Sequence, residues 1–166
     1  MRNLIAVPVI LLAVLLQSAV VSRVTLLFGA ADLPLIMLAA WALQEEVDTA
    51  WHWAIASGLC VGFVSAIPWF VPLGGYIVVV LLARILQQRV WQTPLLAMFV
   101  VSFFGTVVVH GSSLITLRLA NVPLPIGDTL GLVTLPSILL NLLLAIPSYA
   151  VMRDLARWVY PSPEVL

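Results

Sequence analysis

The chain has 166 residues, 63% of them apolar and 8% charged, and its seven basic and seven acidic residues cancel. Soluble domains carry about 25% charged residues, so this composition excludes a water-exposed globular domain and points to lipid as the solvent. The balanced charge offers no basic patch to nucleic acid, and the single cysteine, Cys60, excludes an intrachain disulfide and argues against thiolate metal binding.

The expected fold class is all-α: a polytopic membrane protein of about six transmembrane helices in a compact bundle, one integral domain over residues 1–166. A helix needs ~20 residues to cross ~30 Å of hydrocarbon. The first segment is Leu4–Val21, closed by Ser22-Arg23. Met1-Arg2-Asn3 ahead of an apolar run resembles the start of a signal peptide, but the run continues to Val21, so a retained helix is expected. The second segment starts near Ala31 and ends by Leu43; Gly29, Asp32 and Pro34 make it short or preceded by irregular chain. An acidic loop, Glu45, Glu46 and Asp48, follows. The third segment, Ala50–Ile67, is stopped by Pro68-Trp69-Phe70-Val71-Pro72. The fourth runs from about Leu73 into Arg84 and Arg89, and the fifth covers Thr93–Leu119. A loop with Pro123, Pro125, Gly127 and Asp128 leads to the sixth, Leu135–Trp158, whose last turns carry Arg153, Asp154 and Arg157.

Arginine counting sets the orientation. With a cytoplasmic N-terminus, Arg2, Arg84, Arg89, Arg153 and Arg157 lie inside and only Arg23 and Arg118 outside, which favours both termini in the cytoplasm. Trp41, Trp51, Trp53, Trp69, Trp91 and Trp158 all fall near segment ends, where an indole half-buried at the headgroup level keeps its N–H wet.

The third segment carries small residues every four positions, Ala54, Gly58, Gly62 and Ala66, with a GxxxG element at its centre. Such a face lets another backbone approach closely where no hydrophobic effect drives helices together. That backbone belongs either to this chain or to another protein. In the fifth segment Ser102, Thr106, His110 and Ser113 share one face, which reads either as a hydrogen-bonded packing seam or as the lining of a cavity or proton path. Gln17, Ser112, Thr116 and Asn141 are the other main intramembrane polar groups. No nucleophile elbow, zinc-protease helix or phosphate loop occurs, so neither enzyme, metal nor cofactor is expected. Every Asp, Glu and Arg is expected at or near a segment boundary, which argues against a pump or coupled transporter.

Three stretches resemble the rod shape-determining protein MreD family. The first is Asp32-Leu33-Pro34. The second runs from Gly58 and Gly62 to Val71-Pro72-Leu73-Gly74-Gly75-Tyr76, ending in the loop of Arg84 to Arg89. The third is Leu135-Pro136-Ser137-Ile138-Leu139-Leu140-Asn141, then Pro147 and a basic tail to Arg157. They follow the family's order and lie within residues 32–157. The family's third helix often carries an aspartate before the Pro-Leu-Gly loop; Ala66 stands there in this chain, so that aspartate's role does not transfer.

The resemblance implies a non-enzymatic scaffold of the bacterial cell-elongation complex, in the cytoplasmic membrane. It would bind the single-span protein MreC and act, through it, with the RodA glycosyltransferase and a penicillin-binding transpeptidase in sidewall peptidoglycan synthesis. Expected helix-packing and partner positions are Ala54, Gly58, Gly62, Pro72, Gly74, Pro136, Asn141 and Pro147, with Ser102, Thr106, His110 and Ser113 as a polar seam open to ligand or lipid. The family's membrane fold is similar to the substrate-binding subunits of energy-coupling-factor vitamin transporters, and such a subunit is the alternative function.

Overall fold

The computed structural model describes residues 5–89 and 93–161; Arg2 and Trp91, named above, lie outside them. Helix α1 spans Ala6–Ala19, and a 3-10 turn, Val21–Arg23, leads into a two-stranded hairpin of β1 (Thr25–Leu26) and β2 (Gly29–Ala30). The strands pair antiparallel, Thr25 with Ala30 and Leu26 with Gly29. Then come α2 (Leu33–Ala42), α3 (Ala50–Val64), α4 (Phe70–Arg89) and α5 (Pro94–Leu119). The last helix begins as α6 (Ile126–Asp128), passes through a π-helical segment, Thr129–Thr134, and continues as α7 (Leu135–Val159).

Each expected segment is helical. Among the described residues, four stretches are long and apolar enough to cross a membrane: Ala6–Arg23, Phe70–Gln88, Pro94–Leu119 and Ile126–Val159. The other two apolar helices, α2 and α3, have 10 and 15 residues. Three boundaries differ from expectation. Helix α3 ends at Val64 rather than Ile67, so Ala66 of the small-residue series lies beyond it. The Pro68–Pro72 stretch was expected to separate helices, yet α4 already starts at Phe70 with Pro72 in its first turn, where a missing N–H costs nothing. The final helix starts at Ile126, so Gly127 and Asp128 are helical rather than loop. Pro125 directly precedes that helix, a position compatible with initiation.

Helix α2 is the hub. It touches α1, α3, α4, α5 and α7, and nearly every side chain from Pro34 to Ala42 is buried. A helix that is apolar all round needs such a surround. The outer helices turn large apolar side chains outward instead, for example Leu11 and Leu15 of α1, Leu81 and Ile85 of α4, and Leu139 and Leu143 of α7. In water these faces would form an aggregating surface; against acyl chains they are matched.

Close helix contacts are made at glycines. A Cβ added at Gly58 would lie 2.7 Å from the Leu73 Cα, and one at Gly62 2.8 Å from the Trp69 Cα. The small-residue face of α3, with buried Ala54, is therefore filled by the start of α4. Helices α4 and α5 interlock reciprocally: Gly75 faces Val109 at 2.6 Å and Gly105 faces Val79 at 2.8 Å, each measured from an added Cβ. Gly and Val stand four residues apart in both helices, so each valine fills the notch left by the other's glycine.

The tryptophans divide. Trp51, Trp69 and Trp158 are exposed, as headgroup-level indoles should be. Trp41 and Trp53 correct the expectation: they are 1% and 3% exposed and stack with ring centroids 4.4 Å apart. Their indole N–H groups meet no hydrogen-bond partner among the described residues. Ring area, not a wet N–H, holds them in place.

Candidate functional site

The N-terminus of α2 is a polar junction inside the bundle. Asp32 is its cap: the carboxylate Oδ1 accepts the Leu35 N–H at 3.0 Å, and Pro34 sits where a helix needs no N–H. The same oxygen accepts the Tyr76 hydroxyl from α4 at 2.8 Å. The Asp32 N–H donates to Asn141 Oδ1 of α7 at 2.8 Å, and Asn141 Nδ2 donates to Thr106 Oγ1 of α5 at 2.7 Å. Thr106 passes its own hydroxyl hydrogen to the Ser102 carbonyl at 2.7 Å. From α1, Gln17 uses both ends of its amide, donating to the Ala31 carbonyl and accepting the Leu33 N–H, each at 2.8 Å. Four helices thus hold one helix start.

The hairpin that leads into this junction lies flat on α7. A Cβ at Gly29 would come within 2.6 Å of the Val133 carbonyl oxygen and 2.7 Å of the Ser137 nitrogen, so only glycine permits the approach. Pro136 has no N–H, which leaves the Leu132 carbonyl without its donor from the next turn. The Phe28 N–H fills that place at 3.1 Å, and the Ala30 N–H donates to Ser137 Oγ at 3.2 Å. Pro136 and Ser137, side by side, thereby make a docking strip for an extended chain.

Asp32 stands at a segment boundary, as expected, but that boundary is enclosed by neighbouring helices. Its partner Tyr76 is six residues into α4 from Phe70, about 9 Å along the axis at ~1.5 Å per residue. Asp32 lines a cavity of about 390 Å³ between α3, α5 and the α6–α7 helix. His110, Ser113, Ser65, Thr129 and Thr134 supply its other polar groups, and Pro72 is in its wall. A volume of this order falls within the ~300–1,000 Å³ of small-molecule sites.

The expected polar seam therefore has two halves. Ser102 and Thr106 are fully buried, Thr106 within the junction and Ser102 Oγ with no partner among the described residues. His110 and Ser113, further along α5, face the cavity. Among the packing positions, Ala54, Gly58 and Gly62 meet α4 or lie buried beside it. Pro136 and Asn141 hold the hairpin and junction, and Pro147 is exposed within α7. Gly74 packs against no described part of the chain: an added Cβ there meets nothing within 4 Å, and its neighbour Gly75 makes the contact with α5. Sequence reasoning did not place Asp32, Tyr76 or Gly75 among the site residues, and named Gln17 only as an intramembrane polar group. The Asp-x-Pro cap signature before an apolar run marked the place where they converge.

Elsewhere, Arg84 donates to the Val47 carbonyl and, at 3.0 Å, to Gln87 Oε1, tying α4 to the loop before α3. Tyr160 donates to Asp48 at 2.9 Å, which anchors the same loop to the end of α7. No group of three or more His, Cys, Asp or Glu side chains that could hold a metal occurs among the described residues. Comparison of the chain with protein families, with curated proteins and with solved structures finds no match.

Proposed function

We propose that this protein is a non-enzymatic membrane scaffold of the MreD type. It would lie in a bacterial cytoplasmic membrane with six membrane segments and both termini inside, bind MreC, and support peptidoglycan synthesis by RodA and its transpeptidase. One observation carries the reading. The three stretches that resemble the family, 44 and 109 residues apart by their contacting members, meet at one point. Asp32 comes from the first, Tyr76 from the second and Asn141 from the third. Compositional likeness among membrane segments gives no reason for those residues to bond to one another, whereas a shared architecture does.

The α3 glycine face is filled from within the chain, so a partner helix would have to use other surfaces. The exposed apolar faces of α1 and α7 are the candidates. The test is complementation in rod-shaped cells from which this protein has been depleted. The wild-type chain is expected to restore rods and Asn141→Leu to leave them round at equal membrane abundance. Rods restored by neither chain would refute the reading.

The cavity beside Asp32 favours a second reading, a substrate-binding subunit of an energy-coupling-factor type transporter. Co-purification of a cytoplasmic ATPase module in place of MreC would select it.

A further inference from the structure

The cavity beside the α2 start has a lopsided hydrogen-bond inventory. Asp32 spends Oδ1 on the Leu35 N–H and the Tyr76 hydroxyl, while Oδ2 makes no hydrogen bond and no arginine pairs with the carboxylate among the described residues. Three of the lining hydroxyls have already donated their hydrogens inward. Ser113 donates to the Val109 carbonyl at 2.7 Å, Thr129 to the Pro125 carbonyl at 2.8 Å and Thr134 to the Thr129 carbonyl at 3.3 Å. What these three present to the cavity is lone pairs; of the other lining groups, the Ser65 hydroxyl accepts the Ile67 N–H and keeps its own hydrogen, and His110 brings an imidazole N–H. The walls between them are apolar, from Val61, Leu114 and Val133 among others.

We propose that this cavity is a binding site for an amphipathic primary amine, its ammonium on Asp32 Oδ2 and its apolar body between α3, α5 and the α6–α7 helix. An ammonium brings three donors and no acceptor, the complement of the Asp32 carboxylate oxygen and the lone pairs of Ser113, Thr129 and Thr134. It also supplies the counter-charge that an ionised carboxylate needs away from water. A ligand whose polar end is only a carboxylate or phosphate, with no ammonium, would face Asp32 with like charge. The amine is either the headgroup of an aminophospholipid entering from the bilayer or a free amine of similar size. The inference rests on the cavity alone and holds under either reading of the whole protein.

The experiment uses the full chain in phosphatidylcholine nanodiscs, whose quaternary headgroup has no N–H to donate. Binding of 2-phenylethylamine, 2-phenylethanol and 3-phenylpropionate is measured by thermal shift and by saturation-transfer NMR. The amine is expected to bind at least tenfold more tightly than the other two, and Asp32→Asn to remove that preference. The amide oxygen in this variant still accepts from Leu35 and Tyr76, so its melting temperature without probe reports whether the fold is intact. Replacing a third of the lipid by phosphatidylethanolamine separates the sources. A weakened amine response identifies the lipid headgroup as the resident, and an unchanged one a free amine. Equal binding of all three probes, no binding of the amine, or an amine preference that survives Asp32→Asn would overturn the proposal.

Discussion

Replacing Asn141 by leucine removes two hydrogen bonds and strands one buried donor. Asn141 Oδ1 receives the Asp32 N–H at 2.8 Å, and Nδ2 reaches Thr106 Oγ1 at 2.7 Å. Without the amide, the Asp32 N–H has no other partner within the junction, a loss of ~1–3 kcal/mol for a buried unmet donor. Thr106 loses only an accepted bond, because its hydroxyl still donates to the Ser102 carbonyl. The expected total is about 2 kcal/mol for Asn141→Leu. Thr106→Val leaves one Asn141 N–H unmet and should cost ~1 kcal/mol. In the Asn141→Leu background the same valine has nothing left to break, so the pair should couple by ~0.6–1.7 kcal/mol, from the average to the maximum of interhelical bonds measured by double-mutant cycles in a membrane protein. Unfolding in mixed micelles, followed by near-UV circular dichroism of the stacked Trp41–Trp53 pair, gives all four free energies. Strict additivity, or an Asn141→Leu cost under about 0.5 kcal/mol, would refute the junction as the element that holds α2.

Other substitutions test the packing. Gly75→Leu should cost more than the ~1–3 kcal/mol usual for overpacking, because the added Cβ alone would lie 2.6 Å from Val109 Cγ2. Gly74→Leu, on the open side of the same turn, should leave the melting temperature unchanged, and equal effects would refute the reciprocal α4–α5 contact. Gly58→Leu and Gly62→Leu should each separate α3 from α4 and lower the yield of folded protein in detergent. Cys60→Ala, between them and half-buried, should be nearly silent by the same size-exclusion assay. Asp32→Ala should lose ~1 kcal/mol of cap stability while Asp32→Asn keeps most of it, as chemical denaturation of the two variants would show.

Hydropathy located the six apolar segments because a helix in lipid satisfies its backbone within the segment, leaving side-chain transfer energy to fix its position. The shortness of α2 was legible too, since Gly29, Asp32 and Pro34 interrupt the run where the hairpin and cap occur. Helix starts were harder. Pro72 and Pro125 read as breakers, although proline in or just before a first turn is compatible with helix initiation. The two glycines at 74 and 75 could not be told apart, because which of them faces a neighbour depends on the rotation of α4 about its axis. The Asp32–Asn141 bond spans 109 residues, and nothing local in either stretch specifies it. The buried tryptophan pair escaped for a related reason. Segment-end position marks a headgroup-level indole only when the helix end reaches the surface, and Trp41 ends a helix enclosed by five others.

The scaffold claim is tested most directly by native mass measurement of the protein extracted gently from its own membrane at natural abundance. The account predicts a stoichiometric complex with a single-span protein bearing a periplasmic coiled coil. A bare 18.0 kDa chain, or one carrying a vitamin and a cytoplasmic ATPase module, would contradict it.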